Sequence, residues 1–558
     1  EILLRAAPLL GAVLIRMLDS AAIQPSLRSA SWAESAGGCK QRDREKTVAI
    51  STMPKRKPYI YFARDLQVSV FPQYLIIDLW NVGYTEYRGM LTGIGMANRE
   101  KVLEYFIKPT EWKRFQRFHQ GHIEQDRTYM TRKVSGALQA VRRLNDFSEE
   151  KIWKKDLSRL SNAKLAEIYK RFVELDTPCY AYGNVIFALE FGEGAYFSPR
   201  VRKILEERAP GRFKKYYGVL AGIPKKTIFY KQSLDLLEIS YRVLKHRSLS
   251  RLFTHASTQA VAAILRKQYP RILKEFQRQQ RAYHWLFHSW EGPVMTVEDF
   301  ILSAKDILKK GNVVAKLREK RHELEKLQKA QERIMRELHF TPYERWLLKM
   351  AQFAMWFQPY RKARQFKSCW HLGKYFIEVG KRLHISADQV RYLAHDEVVK
   401  ALRSGKADAD EINRRRKLFI YYYRGRKRII LSGSDAQHFI DDSIDVPKVK
   451  KLSTMHGMPA WHGVARGKVR IVNSLQQAKH FAKGEILVSY ATNPLLVPAM
   501  RQAGAILTEE GGMTCHAAIV ARELNVPCVV GIHGIVEMFK DGDRVAVDAA
   551  KGIVKRVT

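Results

Sequence analysis

The stretch TEEGGMTCHAAIVARELNVPCVVG, residues 508–531, decides the fold of the C-terminal part of the chain. Its pattern predicts the end of a strand, a glycine turn, a helix and a second strand, in that order. Gly511 and Gly512 permit a tight turn and a close approach of another molecule to the backbone. Thr514 is positioned to cap the helix, because a threonine side chain accepts hydrogen bonds from the free N–H groups of a first turn.

His516 would then lie in the first turn of this helix, beside backbone N–H groups that have no partner within the helix. A helix N-terminus stabilises anions and disfavours a protonated imidazole, so we expect a largely neutral, nucleophilic ring at neutral pH. If a ring nitrogen accepts a phosphoryl group, the same N–H groups help to hold the phosphate charge. Arg522, six residues further on, is a second candidate partner for an anion.

Two other kinds of site are weaker interpretations of the same residues. Cys515 and His516 are adjacent and project about 100° apart on a helix, which does not suit a Cys–His catalytic dyad. A zinc site made of Cys515, His516 and Cys528 lacks the usual ligand spacing, so no metal site is predicted. A single histidine in a first turn is more often a cap or a surface residue. Only the complete segment 508–531 favours a catalytic role for His516.

The residues around this segment, 459–558, predict a small α/β domain in which short strands alternate with helices and Gly, Pro and Asp turns. The predicted strands are 469–472, 485–489, 505–508 and 528–530, the predicted helices are 494–503 and 515–524, and a closing hairpin is predicted at 541–557.

The longer part of the chain, 53–435, is predicted to be mainly helical and to end in a β-hairpin at 417–431. Apolar residues recur there at three- and four-residue spacing. The predicted helices are 149–175, 199–209, 231–247, 251–287, 296–310, 313–338, 343–363, 368–382 and 387–404. Residues 436–458 are predicted to be a linker. The predicted fold class is a multidomain α plus α/β protein, with a large helical body before the C-terminal domain.

Residues 1–52 are predicted to be a disordered or over-extended leader, with the globular protein beginning near Met53. The alternative is a targeting segment, because the apolar residues 6–15 lie between Arg5 and Arg16, as in the hydrophobic part of a secretory signal. The cysteine content favours an intracellular location. Five cysteines without a CxxC pair do not make a disulfide framework, so a cytoplasmic compartment is expected. No stretch is apolar enough for a transmembrane helix, and no membrane partner is expected.

The net charge of the 558 residues is +41, from 97 Lys and Arg against 56 Asp and Glu. Residues 53–455 carry +35 of this excess. Such a charge favours nucleic acid as a partner, with the arginine runs at 414–416 and 424–428 around Tyr421–Tyr423 as candidate contacts for phosphates and bases. The alternative is a general basic bias, with the charges spread over solvated helix faces.

Residues 459–558 resemble the phosphohistidine swivelling domain, or mobile domain, of the PEP-utilising enzymes, such as PEP synthase, pyruvate phosphate dikinase and rifampicin phosphotransferase. The likeness rests on the GG-x-T-C-H-A-A core with Cys515, the following ARE at 521–523 and the VPCVVG strand. It implies a β/β/α swivelling fold in which His516 accepts phosphate from ATP or PEP and carries it between two active sites by domain rotation. Thr514 stands where some dikinases have a regulatory phosphorylation site.

No phosphate-donor site is recognisable in the sequence. There is no Gly-rich nucleotide-grasp loop with a carboxylate pair for Mg²⁺, and no Walker-A sequence. The 42 residues after His516 are far fewer than the roughly 250 of a PEP-binding barrel. The resemblance therefore implies no cofactor within this chain, and Mg²⁺ with ATP or PEP at a partner's site, on a nucleotide-grasp or other donor subunit. The alternative is a noncatalytic scaffold with a relict swivelling domain.

The helical body is the candidate site for a small-molecule acceptor. Three pieces are similar to the helical segment that precedes this domain in short PEP-synthase-like proteins, namely AYHWLFHSWEGP at 282–293, WFQPYRKAR at 356–364 and RRRKLFIYYYRGRKRIILSG at 414–433. Aromatic walls and cationic groups suit an aromatic or anionic compound. The candidate binding residues are His284, Trp285, His288 and Arg361. The alternative is ordinary helix packing, with aromatic side chains in the core and basic ones on solvated faces.

Overall fold

A computed structural model describes residues 59–65, 71–78, 91–98, 103–190, 194–288, 294–424, 427–445, 454–473, 477–478, 480–492, 496–509, 515–532 and 534–557. The predicted leader at 1–52 lies outside the described residues. Gly511, Gly512 and Thr514 lie outside them as well.

The body of the protein is mostly helical. Its helices are α1 Phe71–Asp78, α2 Pro109–Gln125, α3 Thr128–Ser148, α4 Asn162–Glu190, α5 Phe197–Arg208, α6 Phe213–Leu220, α7 Ile228–Leu244, α8 Arg247–His255, α9 Thr258–Gln268, α10 Pro270–Tyr283, α11 Val297–Lys309, α12 Val313–Glu337, α13 Pro342–Leu383, α14 Ala387–Val390, α15 His395–Ser404, α16 Ala409–Lys417 and α17 Gly433–Ser443. Tighter or wider turns occur as a π-helical turn at Glu149–Trp153 and 3₁₀ turns at Leu157–Arg159, Pro210–Arg212 and His284–Phe287. In the described part of the chain, none of the helices has the length and apolar composition needed to cross a membrane.

The 42-residue helix α13 runs through the main core, where it packs against α3, α4 and α5. A capping box begins it, because the Glu344 N–H donates to the Thr341 hydroxyl at 3.3 Å and the Thr341 N–H donates to the Glu344 carboxylate at 2.8 Å. The prediction of two helices, 343–363 and 368–382, is wrong. The four residues between them include neither Gly nor Pro, so nothing interrupts the helix.

The helices α7 to α11 form a second core around the fully buried Phe253, Phe276 and Phe300. One helix was predicted over 251–287, and the structure has three helices followed by a 3₁₀ turn. The breaks have local causes. The Ser257 hydroxyl caps α9 by accepting from the Ala260 N–H at 3.1 Å, and α10 begins with a proline.

A six-stranded sheet completes the body. Its strands are β1 Tyr59–Asp65, β2 Gly93–Asn98, β3 Leu103–Ile107, β4 Leu418–Arg424, β5 Lys427–Ser432 and β6 Ile444–Asp445, in the order β5-β4-β2-β3-β1-β6. The predicted hairpin is β4 and β5, but its pairing with β2 was missed. Both faces are buried, since Phe419 and Tyr421 face the main core while Ile420 and Tyr422 face a smaller one under α17. The prediction of a helical domain with only a terminal hairpin was therefore incomplete.

The predicted linker at 436–458 is wrong at both ends. Ala436 and Phe439 in α17 are buried against the sheet, and β6 pairs in parallel with β1. Residues 454–456 and the strand from 458 belong to the C-terminal sheet. The sequence between, 446–453, lies outside the described residues.

The C-terminal domain contains an eight-stranded sheet in the order β7-β14-β13-β9-β10-β11-β12-β8. Its strands are β7 Thr454–His456, β8 Met458–Trp461, β9 Val464–Ile471, β10 Ile486–Ser489, β11 Ala505–Thr508, β12 Cys528–Val530, β13 Arg544–Asp548 and β14 Ile553–Arg556, and its helices are α18 Val497–Met500, α19 His516–Leu524 and α20 Ile535–Met538. The four central strands β9 to β12 are parallel.

The strands predicted at 505–508 and 528–530 are confirmed as β11 and β12. The helix predicted at 494–503 is shorter, since α18 covers four residues.

Candidate functional site

The candidate site lies where the central parallel strands end. In such sheets the loops that leave the carboxyl ends of neighbouring strands form the usual place for a ligand. The Glu509 N–H donates to the Ser489 carbonyl at 3.0 Å and the Ile532 N–H donates to the Thr508 carbonyl at 3.0 Å. These bonds tie the ends of β10, β11 and β12 together. The segment that leads from β11 to α19 therefore starts from a fixed, buried edge.

Helix α19 begins at His516, as the sequence predicts for the first turn. Its cap, however, is Cys515, which has extended backbone angles and whose sulfur accepts from the Ala518 N–H at 3.4 Å. The expectation that Thr514 caps the helix is wrong by one residue. Because His516 is the first helical residue, its backbone lies at the positive end of the helix dipole, where an added phosphoryl group is stabilised.

The face of α19 that contacts the sheet consists of small residues. Ala517, Ala518 and Ala521 are buried in one cluster with Cys528 of β12. Small side chains allow the helix to lie close to the strands, so its N-terminus is held firmly at the sheet edge.

Arg522 lies near β12 and is half-buried. Burial raises the pKa of the Cys528 thiol, the nearby Cys515 raises it further and the positive charge of Arg522 opposes this shift. Six helical residues correspond to a rotation of about 600°, so the backbone positions of His516 and Arg522 differ by about 120° around α19. The helix therefore does not bring these two positions onto one face, and a role for Arg522 beside a phosphorylated His516 stays a prediction.

Two of the four residues predicted to bind an acceptor, His284 and Trp285, lie in the 3₁₀ turn that follows α10. His284 Nδ1 donates to the Gln280 carbonyl at 2.9 Å, and the ring lies edge-on to Trp370 with the centroids 4.4 Å apart. Trp285 is buried beside Leu286 and Ala363, as ordinary packing would have it. Trp370 and its neighbour His371, in the predicted helix 368–382, lie beside His284 but were not predicted as site residues.

His288 and Arg361 are buried as well, and the His288 N–H donates to the Trp285 carbonyl at 3.0 Å. Burial lowers the pKa of His288 to about 4, and the positive charge of Arg391 adds to the effect. Arg361 donates to Gln365 Oε1 at 2.6 Å and to Gln358 Oε1 at 3.0 Å. Nine helical residues correspond to about 900°, so Arg361 and Trp370 lie on opposite faces of α13. A shared acceptor site made of His284, Trp285, His288 and Arg361 stays a prediction.

Two of the basic residues that were candidates for nucleic-acid contacts, Arg415 and Arg428, are engaged within the protein. Arg415 is buried and pairs with Glu397 at 2.6 Å and with Glu411 at 3.0 Å. Arg428 forms a bidentate pair with Asp396. Tyr421 and Tyr422 are buried in the two cores beside the sheet, so their rings do not offer a stacking surface.

Among the described residues, no group of three or more His, Cys, Asp or Glu side chains is placed to hold a metal ion. The C-terminal domain instead has the backbone of His516 at a helix N-terminus, after the carboxyl end of a strand in a parallel sheet.

Comparison with known proteins identifies this domain. Residues 481–552 match the family described as PEP-utilising enzyme, mobile domain. Within the C-terminal domain, these residues are therefore similar to the mobile domain of the PEP-utilising enzymes.

Relatives that share the region are named phosphoenolpyruvate synthases. The probable enzyme of Archaeoglobus fulgidus is 51% identical over 100 residues, which cover 18% of this chain and 13% of that protein. The enzyme of Aeropyrum pernix is 48% identical over 101 residues, 18% of this chain and 12% of that protein. The enzyme of Helicobacter pylori is 35% identical over 185 residues, 32% of this chain and 21% of that protein. The chain thus spans less than a quarter of the length of these relatives.

A crystal structure of aconitase X from Thermococcus kodakaraensis, in its holo-form, covers 19% of this chain and 98% of that chain at 20% identity. Its TM-score of 0.16 is too low to say anything about the fold of the chain.

Proposed function

We propose that this chain is a phosphotransferase component in which His516 carries a phosphoryl group from a donor to an acceptor bound on the helical body. The observation that supports this most is the place of His516 as the first residue of α19 in a domain of the mobile-domain family. Relatives over this region are named phosphoenolpyruvate synthases, which is consistent with ATP or PEP as the donor.

The chemistry at His516 is a pair of displacements. In the first, a neutral ring nitrogen attacks the donor phosphorus, a P–N bond forms and the P–O bond to the donor breaks. In the second, an acceptor hydroxyl oxygen attacks and loses its proton to water, a P–O bond forms, and the P–N bond breaks with its electron pair returning to the ring nitrogen. The chain contributes positioning and charge stabilisation, which are the main terms in phosphoryl transfer. A donor site with Mg²⁺ and ATP or PEP is proposed on a nucleotide-grasp or other donor subunit.

A carrier must leave the donor and reach the acceptor, so the proposal includes rotation of the C-terminal domain. One contact between the domain and the body is an ion pair in which Arg501 Nη1 lies 3.1 Å from Asp306 Oδ2. Both side chains are partly exposed, and such pairs contribute little to stability. A contact of this kind is compatible with a domain that docks and separates.

Label transfer tests the proposal. The full chain is incubated with Mg²⁺ and ³²P-labelled ATP or PEP, with and without a candidate donor subunit, as wild type, His516→Ala and His480→Ala. His480 is an exposed histidine of the same domain and serves as the matched control. We expect acid-labile, base-stable label on wild type and His480→Ala only. Equal label on His516→Ala would overturn the assignment.

The second candidate, a nucleic-acid-binding or noncatalytic scaffold protein, rests on the +35 charge of residues 53–455. Binding through phosphates weakens steeply as salt rises. A titration with single-stranded RNA at low and high salt tests it, and absence of binding at low salt would exclude it.

A further inference from the structure

The C-terminal sheet has an uncovered face at its antiparallel end. Val545, Val547 and Val554 of β13 and β14 are buried in one core, so the residues that alternate with them point to the opposite side. On that side α18 and α19 cover β10 to β12. No hydrophobic cluster in the described part of the chain includes the residues that β13, β14 and the start of β9 present there. This surface, the basic sheet face, consists of Val464, Arg466, Arg544, Ala546, Ile553 and Lys555.

The strand register places like charges side by side on the basic sheet face. Lys468 stands directly opposite Arg544, and Ala546 lies between Arg466 on β9 and Lys555 on β14. Arg466, Arg544 and Lys555 form no ion pair with any residue that the structure describes. Like charges directly opposite each other on neighbouring strands are destabilising. An anionic partner would compensate this charge.

Asp548, the neighbour of this face on β13, does not neutralise it. Its Oδ2 lies 3.5 Å from Lys551 Nζ, and its Oδ1 accepts from the Lys551 N–H at 3.1 Å. Both contacts are made within the turn between β13 and β14. The charges of Arg466 and Lys555, on either side of Ala546, are therefore left for another molecule.

A depression of about 440 Å³ lies between these charges and is lined by residues of β9, β13 and β14 and by Lys551. Ala546 leaves room in it, because its side chain is short and those of Arg466 and Lys555 beside it are long. Val464 at the rim is 80% exposed, and Ile553 is partly exposed. Apolar surface rimmed by polar groups is typical of interaction sites.

The chemistry of the depression favours an acidic protein segment over other occupants. None of the described residues that line it is aromatic, whereas single-stranded nucleic acids are held by stacking on aromatic rings. It is open to solvent, whereas a small-molecule pocket encloses most of its ligand. A second copy of this chain, docked through the same face by a twofold axis, would bring cation against cation.

The basic sheet face lies at the edge of the sheet away from His516. Val469 is the residue of β9 that pairs with Ile486 at the start of β10, so residues 464–468 come before the parallel strands begin. His516 instead follows the carboxyl end of β11. A partner on this face would therefore hold the domain and leave the start of α19 free.

We propose that the basic sheet face is a docking surface for an acidic segment of a partner protein. Neighbouring strands are about 4.8 Å apart, so the backbones of Arg466 and Lys555 are about 10 Å apart with Ala546 between them. In an extended segment, alternate residues share one side and residues four apart are about 13 Å apart. Two carboxylates at this spacing reach the two long cationic side chains, and an aliphatic side chain midway between them fills the depression.

Three blocked pentapeptides test the proposal on the full chain. The probe is Glu-Ser-Leu-Ser-Glu, in which both carboxylates and the leucine share one side of an extended chain. Gln-Ser-Leu-Ser-Gln lacks the charges, and Glu-Ser-Ser-Ser-Glu lacks the aliphatic side chain. Dissociation constants are measured by saturation-transfer NMR titration at low salt. We expect the probe to bind about fivefold more tightly than either control peptide, from two exposed ion pairs and one partly buried leucine.

Charge-reversal variants locate the binding. Arg466→Glu and Lys555→Glu should each remove the preference for the probe over the glutamine peptide. Lys274→Glu makes the same change of net charge at an exposed position of α10 and should leave that preference intact. Asp548→Asn removes a negative charge beside the depression but keeps the oxygen that accepts from Lys551, so it should tighten probe binding by about twofold.

The apolar contact has its own variant, because Val464→Ser should reduce the preference for the probe over the serine peptide. His516→Ala should bind the probe like wild type, so the outcome does not depend on the proposed function.

Two kinds of result would overturn the proposal. One is no saturable binding of the probe at millimolar concentration, or equal weakening by Lys274→Glu and by the two variants on the face. The other is an oligothymidylate whose affinity falls more in Arg466→Glu than that of the probe, which would assign the face to nucleic acid.

Discussion

At the scale of single residues, Arg361 shows how a residue type can mislead. The sequence suggests a cation for ligands or a solvated face, whereas the structure buries it between α13 and α4. Its partner Gln365 donates in turn to Asp176 Oδ1 at 2.6 Å. The guanidinium also fills the space beside Gly183, where an added Cβ would lie 2.7 Å from Nε. Asp176 lies 189 residues before Gln365 in the sequence, so no local pattern could reveal the network.

The buried Asp176 predicts a pH-dependent stability. Burial raises the pKa of this carboxyl to about 7, against the opposing effects of the Gln365 hydrogen bond and the Arg361 charge. Between the ordinary value of 3.8 and about 7, the unfolded chain loses a proton that the folded chain keeps. The free energy of unfolding therefore falls as pH rises through this window, by on the order of 4 kcal/mol.

Asp176→Asn keeps an oxygen for Gln365 and cannot ionise. We expect it to match wild type near pH 4 and to be more stable near pH 8 in urea unfolding followed by circular dichroism. Asp146→Asn makes the same change at an exposed helix position. Its free energy of unfolding should differ from that of wild type by the same amount at every pH. If the free energy of unfolding changed with pH in the same way for wild type and Asp176→Asn, the raised pKa of Asp176 would be contradicted.

At the scale of elements, the sequence predicts best where short elements are separated by Gly and Pro. β11 and β12 follow this rule and are predicted to the residue. β4 is recognised by its aromatic run, but its partner β2, GIGMAN, has two glycines and lies more than 300 residues earlier. The pairing of two strands so distant in sequence depends on tertiary contacts, which a single sequence does not reveal. The start of α19 is predicted within one residue, while the residues that surround His284 are not.

Helix α13 offers a matched pair of glycines. A Cβ on Gly380 would lie 2.6 Å from the Ile385 carbonyl oxygen and 3.2 Å from the Ala387 nitrogen, and these are backbone atoms that cannot turn aside. At Gly373 the nearest atom would be 3.8 Å away, on the Arg391 side chain. We expect Gly380→Ala to destabilise the protein by about 1–3 kcal/mol and Gly373→Ala to stabilise it by up to about 1 kcal/mol. Thermal unfolding measures both, and a shift of the same sign for the two variants would refute the argument.

At the scale of the whole molecule, an ion pair joins the C-terminal domain to the body. Arg501 of the C-terminal domain meets Asp306 of α11, and Lys310 lies near the same place. Burial lowers the pKa of Lys310, and the charge of Arg501 lowers it further, which shows that these two cations repel each other. The attraction between Arg501 and Asp306 is thus partly offset. A partly exposed pair contributes about 0.2–1 kcal/mol, enough to bias docking of the domain without fixing it.

This balance predicts what a charge reversal does to docking. Asp306→Arg would place three cations together, so the C-terminal domain should separate from α11, and hydrogen–deuterium exchange should rise in peptides covering 297–309 and 497–501. Adding Arg501→Asp restores a pair of opposite charges and should return hydrogen–deuterium exchange towards wild type.

Glu298→Arg, on the same helix, is the control. It breaks the pair with Arg266 inside the body and should leave exchange at 497–501 unchanged. High salt should move wild type towards Asp306→Arg, because screening weakens exposed pairs. If Asp306→Arg exchanged like wild type at 497–501, the ion pair would have no part in holding the domain, and rotation would have to be governed by other contacts.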